Sequence, residues 1–154
     1  MSEGTGRPAA IVVSACLLGV PCNHMGEGSP SEAVKALASS ARLVPICPEV
    51  AGGLPVPRAA AELQPSGRVV TETGEDVTAS YERGAAAAVA LARAVGAAEA
   101  VLKARSPSCG CRQVYDGSFS RVLVEGEGVA AAALRRSGVR VRSEEDVAAG
   151  TPAD

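Results

Sequence analysis

A chain of 154 residues with 47% hydrophobic and 21% charged residues suits one domain with a buried core and excludes a disordered chain. A net charge of −2, scattered Lys and Arg, one Phe, two Tyr and no Trp leave neither a basic stripe nor an aromatic platform, so no nucleic-acid polymer is expected as partner. No run approaches the roughly 20 apolar residues that span a bilayer, and "MSEGTGRPAA" lacks the layout of an export signal, so the expectation is a cytoplasmic protein with no membrane partner.

In chain order, residues 1–9 read as a flexible N-terminus. "AAIVVSACLLG" (9–19) is an apolar run with β-branched Ile11, Val12 and Val13, the pattern of a strand buried on both faces. "VPCNHMGEGSP" (20–30) is loop, and "SPSEAVKALASS" (29–40) carries a short helical face on Ala33, Val34, Leu37 and Ala38. "ARLVPICPEV" (41–50) predicts a second strand, closed by Pro48.

Residues 51–70, with Gly52 and Gly53 adjacent and Pro55, Pro57 and Pro65 close behind, have no helical period and read as an ordered loop. Val69–Thr71 could be a short strand. The spacing of Val77, Tyr81, Ala85, Ala88, Val89 and Ala92 predicts the longest helix, capped by Asp76 and ended by Gly96.

"AAEAVLKAR" (97–105) predicts a third strand and "SPSCGCRQVYDGSFSR" (106–121) a loop, within which Asp116-Gly117 signals a hairpin between "RQV" and "FSRVL". Tyr115 and Phe119 read as packing residues. "GEGVAAAALRRSG" (126–138) predicts a helix, "VRVRS" (139–143) a fourth strand and "SEEDVAAG" (143–150) a terminal helix starting on Ser143, before a tail over 150–154. Strands alternating with helices predict an α/β fold: a Rossmann-like open sheet, mainly parallel, in a single domain over residues 10–149.

Open α/β sheets bind ligands at the carboxyl ends of their strands. Cys16 falls at the end of the first predicted strand, Cys47 at the end of the second and Cys109 shortly after the third, so three distant thiols converge on one edge. Several chemistries suit that convergence. Three thiolates with an open fourth position suit an iron–sulfur cluster. The chain's one histidine, His24, could complete a zinc set of three cysteines and one histidine, although no C-x-x-C pair is present. Cys109 and Cys111 could instead form a working redox pair, and any of the five cysteines could be a small buried hydrophobe.

Around the thiols, Glu49 two residues after Cys47 is a candidate acid or base, against the plainer reading of a solvated strand-end glutamate. Ser106, Ser108 and Gly110 offer hydroxyls and close backbone approach, or simply a turn. Arg58 is a candidate phosphate-binding cation, or a surface charge. Cys22 and Cys111 could be additional ligands, redox partners or neither.

Taken together, "VSACLLGVPC", "VPICPEVAGGLPVPRAAAEL", "TGEDVT", "LKARSPSCG" and "VYDGSFS" resemble a small bacterial and archaeal family that includes the thiouracil desulfurases. The resemblance runs over roughly residues 10–143, with the motifs in order. It implies a 4Fe–4S cluster held by Cys16, Cys47 and Cys109, with one iron free to bind the sulfur of thiouracil or of thiouridine monophosphate. It further implies Glu49 as proton donor or water activator and Ser106 as a positioning hydroxyl, in a non-redox conversion of C=S to C=O. Ser108, Gly110 and Arg58 then become candidate substrate contacts. The resemblance breaks at "CNHMG" (22–26), where many members carry a basic–aromatic–acidic–glycine stretch. Alternatives from other classes are a non-catalytic cluster- or zinc-binding carrier and a cysteine-based sulfur-transfer enzyme.

Overall fold

The computed structural model describes residues 7–153; residues 1–6 of the expected N-terminal tail and residue 154 lie outside the described residues. Four strands form one sheet: β1 (Ala10–Ser14), β2 (Arg42–Ile46), β5 (Glu99–Leu102) and β8 (Arg140–Ser143), in the order β2-β1-β5-β8. Every pairing in it is parallel, with Val12 opposite Val44 on one side and Ala100 on the other.

The continuous apolar run of β1 follows from this position, because the central strand is buried on both faces and all five residues are inaccessible. Val12, Ala100, Leu102 and Val141 meet Ala88 and Ala92 of α3 (Thr78–Val95) and Ala131 and Leu134 of α4 (Val129–Arg136). Ile11, Val13 and Val101 point the other way, onto Val34 of α1 (Glu32–Ala36) and Val147 of α5 (Glu144–Ala149). The result is the predicted α/β domain with a parallel sheet, its helices on both faces making three layers. Its alanine-rich helix faces replace bulk with close approach.

Helix boundaries follow local chemistry. Ser31 Oγ accepts the Val34 N–H at 3.3 Å to start α1, and Ser143 with Asp146 forms a reciprocal capping box on α5. The long helix starts later than predicted. Asp76 sits just outside α3, where Oδ1 accepts from both the backbone and the hydroxyl of Thr78, at 2.9 and 2.6 Å.

Three short elements differ from the sequence expectation. Pro48 does close β2, but it also opens a helical turn, α2 (Pro48–Ala51), in which a missing N–H costs nothing at the first position. The predicted loop over 51–70 contains β3 (Ala61–Leu63), paired antiparallel with β4 (Val69–Thr71). The Asp116-Gly117 hairpin exists, but β6 (Gln113–Tyr115) returns as β7 (Leu123–Glu125), not from Phe119. The turn stays wide because Glu62 Oε1 accepts the N–H groups of Gly117 and Phe119, both at 3.0 Å, in place of a ladder partner.

Candidate active site

Parallel strands end on the same edge, and the segments that follow three of the four carry a cysteine to it. After Ser14 the backbone enters a 3-10 turn, Ala15–Leu18, which holds Cys16 and closes on Gly19 with φ +96. The Cys16 carbonyl accepts from Gly19 and Ser29, so the returning loop pins this turn. Cys47 follows β2 as the cap of α2, and Cys109 lies seven residues past the end of β5. All three line one cavity of about 550 Å³ at the carboxyl edge of the sheet, together with Cys22, Glu49 and Ser106.

Two glycines that sequence reasoning left without a role place α2. A Cβ on Gly52 would stand 1.9 Å from the Ser80 carbonyl oxygen, and one on Gly84 would stand 1.9 Å from that of Pro48. Backbone-to-backbone contact between α2 and α3 thus sets where Cys47 and Glu49 enter the cavity.

Glu49 is no solvated strand-end glutamate. Its Oε1 accepts from Arg58 Nε at 2.8 Å, and the two side chains are only 14% and 7% exposed. Arg58 is also not a free phosphate-binding cation or a surface charge. Its Nη1 donates to the Pro55 carbonyl at 3.1 Å, and its Nη2 donates to the Cys22 carbonyl at 2.9 Å and reaches Cys47 Sγ at 4.0 Å. The guanidinium is spent on the carboxylate and on the backbone beside two thiols. Arg58 therefore holds Glu49 in place with most of its donors already engaged.

Ser106 lines the cavity, and its Oγ accepts the N–H groups of Ser108 and Cys109, both at 3.0 Å. With both lone pairs engaged, a hydroxyl keeps only its proton for a third partner, so Ser106 acts toward the cavity as a donor. Ser108 and Gly110 stand behind the wall rather than in it. The Ser108 side chain is 1% exposed, and its carbonyl accepts from Ala130 and Ala131 at the start of α4. A Cβ on Gly110 would lie 2.8 Å from the carbonyls of Ser106 and Gln113. Both residues shape the turn that carries Cys109; neither lines the cavity.

Burial dominates the electrostatics of the thiols. It pushes Cys16 up to about 11, with Lys103 opposing, and Cys109 up to about 12, with a hydrogen bond from Ser14 opposing. Cys22 is pushed to about 12 by burial and by neighbouring Cys47. Cys111 is raised as well, first by burial and then by Asp146, but it lines a separate small cleft with Arg112 and Ser143. Among the described residues no three His, Cys, Asp or Glu side chains stand close enough to share a single metal ion. All five cysteines are free thiols.

Four further residues line the cavity, none of which the sequence marked as a substrate contact. Tyr81, Phe119, Arg121 and His24 all reach the cavity. Phe119 is not the packing residue expected: it is 38% exposed and holds a left-handed backbone, φ +58, as does Arg121 at φ +62. Left-handed non-glycine residues are enriched at functional sites, but nothing in their side chains announces them.

Comparison with known proteins bears on the family and the fold. A family model described as 2-thiouracil desulfurase matches residues 11–146. The uncharacterized protein YbbK of Bacillus subtilis (strain 168) is 40% identical over 146 residues, covering 89% of this chain and 97% of its own. The solved structure of TudS, a 4Fe-4S-dependent thiouracil desulfidase, superposes with a TM-score of 0.85 at 47% identity, over 92% of this chain and 94% of that one. The chain belongs to the 2-thiouracil desulfurase family.

Proposed function

We propose that this chain is an iron–sulfur-dependent desulfurase that converts the C=S group of a thiolated pyrimidine, thiouracil or 4-thiouridine monophosphate, into C=O. The observation that carries the reading is the convergence of Cys16, Cys47 and Cys109 on a cavity that also holds Glu49 and Ser106. The reaction balances without an oxidant: C=S and H₂O become C=O and H₂S.

The donor set fits a 4Fe–4S cluster on physical grounds. Buried thiols resist ionisation unless positive charge compensates them, and a soft metal core supplies it. When bound through three protein thiolates, such a cluster supplies a thiophilic Lewis acid with one open position.

The chain's own groups supply the rest. The Arg58-oriented Glu49 carboxylate takes a proton from the attacking water, and the Ser106 hydroxyl donates to a ring heteroatom of the pyrimidine. Arg121 and His24 line the cavity and are exposed, and neither side chain pairs with another described residue, which leaves them for a substrate phosphate. No described helix is long and apolar enough to cross a membrane, and a cytoplasmic setting, with its reduced thiols, belongs to the same reading.

The test is anaerobic reconstitution with iron and sulfide, followed by visible absorbance and sulfide release from thiouracil and 4-thiouridine monophosphate. The expected result is a brown protein with about four irons per chain that releases sulfide, both lost in Cys16→Ala. Colour without turnover of either compound would leave a cluster carrier, and a colourless protein under those conditions would overturn the cluster.

A further inference from the structure

Ser14 is the last residue of β1 and 2% exposed, and its hydroxyl is held from two sides. The Lys103 N–H, just past the end of β5, donates to Ser14 Oγ at 2.9 Å. Ser14 Oγ in turn donates to Cys109 Sγ at 3.2 Å, across 95 residues of chain. A hydroxyl has a single proton. With the backbone N–H occupying its acceptor side, that proton is directed at the Cys109 sulfur.

Each of the three converging sulfurs thus has a different neighbour that offsets negative charge. Cys16 feels the Lys103 ammonium, itself paired with Glu144 at 3.1 Å, Cys47 has Arg58 Nη2 at 4.0 Å, and the most buried of them, Cys109, has only a neutral hydroxyl. On the reading that these cysteines hold a cluster, we infer that Ser14 is a positioning and tuning residue, whose hydrogen bond to Cys109 Sγ fixes that thiolate's direction and draws charge from it. Less charge on the ligand sulfur leaves the metal core more electrophilic and easier to reduce.

Ser14→Ala, Ser14→Thr and Ser14→Val are reconstituted anaerobically in H₂O and in D₂O. The readouts are the midpoint potential of the cluster and its Fe–S(Cys) stretching bands by resonance Raman. Thr and Val have nearly the same shape and differ in the donor. Ser14→Ala and Ser14→Val are expected to show a more negative midpoint potential and to lose one deuterium-sensitive band; Ser14→Thr is expected to keep both properties of the unaltered protein. Cluster loss in Val but not Thr would also support the assignment. Equal potentials or equal cluster loss in Thr and Val overturn it. An unaltered protein that takes up no iron overturns the cluster reading itself, a different failure from the first.

Discussion

Glu49 and Arg58 form a nearly buried ion pair, Nε to Oε1 at 2.8 Å, whose cationic member also reaches the Cys22 carbonyl and the Cys47 sulfur. Removing one member of such a pair strands the other charge in a poorly solvated site. Arg58→Ala is therefore expected to cost about 3 kcal/mol of stability, read by urea denaturation. It should also lower the rate of sulfide release about 100-fold through a misplaced carboxylate. The Glu49→Gln/Arg58→Met double variant should recover most of the stability and none of the activity. Unchanged kinetics in Arg58→Ala would return Arg58 to the status of a surface charge.

Gly84 decides where α2 lies. Replacing glycine with alanine inside a helix ordinarily gains up to about 1 kcal/mol. Here the new Cβ meets the Pro48 carbonyl at 1.9 Å, and a backbone oxygen cannot swing aside like a flexible side chain. The clash wins. Gly84→Ala should lose about 3 kcal/mol and displace Cys47 and Glu49, so iron uptake should fall along with the denaturation midpoint. A variant as stable as the parent would show that α2 can shift at no cost.

Cys111 has the opposite expectation. It is 5% exposed, packs with the α3–α4 side of the core and does not line the large cavity. Cys111→Ala should cost about 1 kcal/mol, as for other small deletions of buried volume, with iron content and sulfide release retained. A loss of turnover as deep as that of Cys109→Ala would move the chemistry to a Cys109–Cys111 thiol pair.

Asp76 makes acid stability a local question. Hydrogen bonds from the Thr78 hydroxyl and backbone, and then Arg68, lower its carboxyl from an ordinary 3.8 to about 2. The folded state thus binds its proton later than the unfolded state does. The stabilisation is present above the ordinary aspartate range and disappears as pH falls toward 2. Urea midpoints measured from pH 5 to pH 2 should show Asp76→Asn weaker than the parent at the upper end, with most of that gap closed at the lower. A constant gap across that range would exclude the carboxylate as its source.

How much was legible in the residues depends on how local the cause is. The unbroken apolar run at Ile11–Val13 announces a strand covered on both faces, the run at Val44–Ile46 announces its partly buried edge neighbour, and the helical spacing from Val77 to Ala92 announces α3. Ser143 and Asp146 announce the cap of α5. The alternation of these elements is enough to order a parallel sheet, and with it the arrival of Cys16, Cys47 and Cys109 at one edge, because parallel strands share their carboxyl ends. The three-residue strands β3, β6 and β7 are too short to show a period, and Pro48 reads as a stop while it also begins a helical turn.

Tertiary structure alone decided the partners within that edge. Nothing in "CPE" or "VPR" pairs Glu49 with Arg58, and nothing in "VSAC" aims Ser14 at a sulfur 95 residues away. Arg58 is a free cation on paper and a largely engaged one in the fold, while Ser108 and Gly110 turn from candidate contacts into supports of the Cys109 turn. The physical reason is range. Strand and helix patterns arise from hydrogen bonds and burial along the chain, whereas a side chain's role at the site depends on which distant group consumes its donors, acceptors and charge.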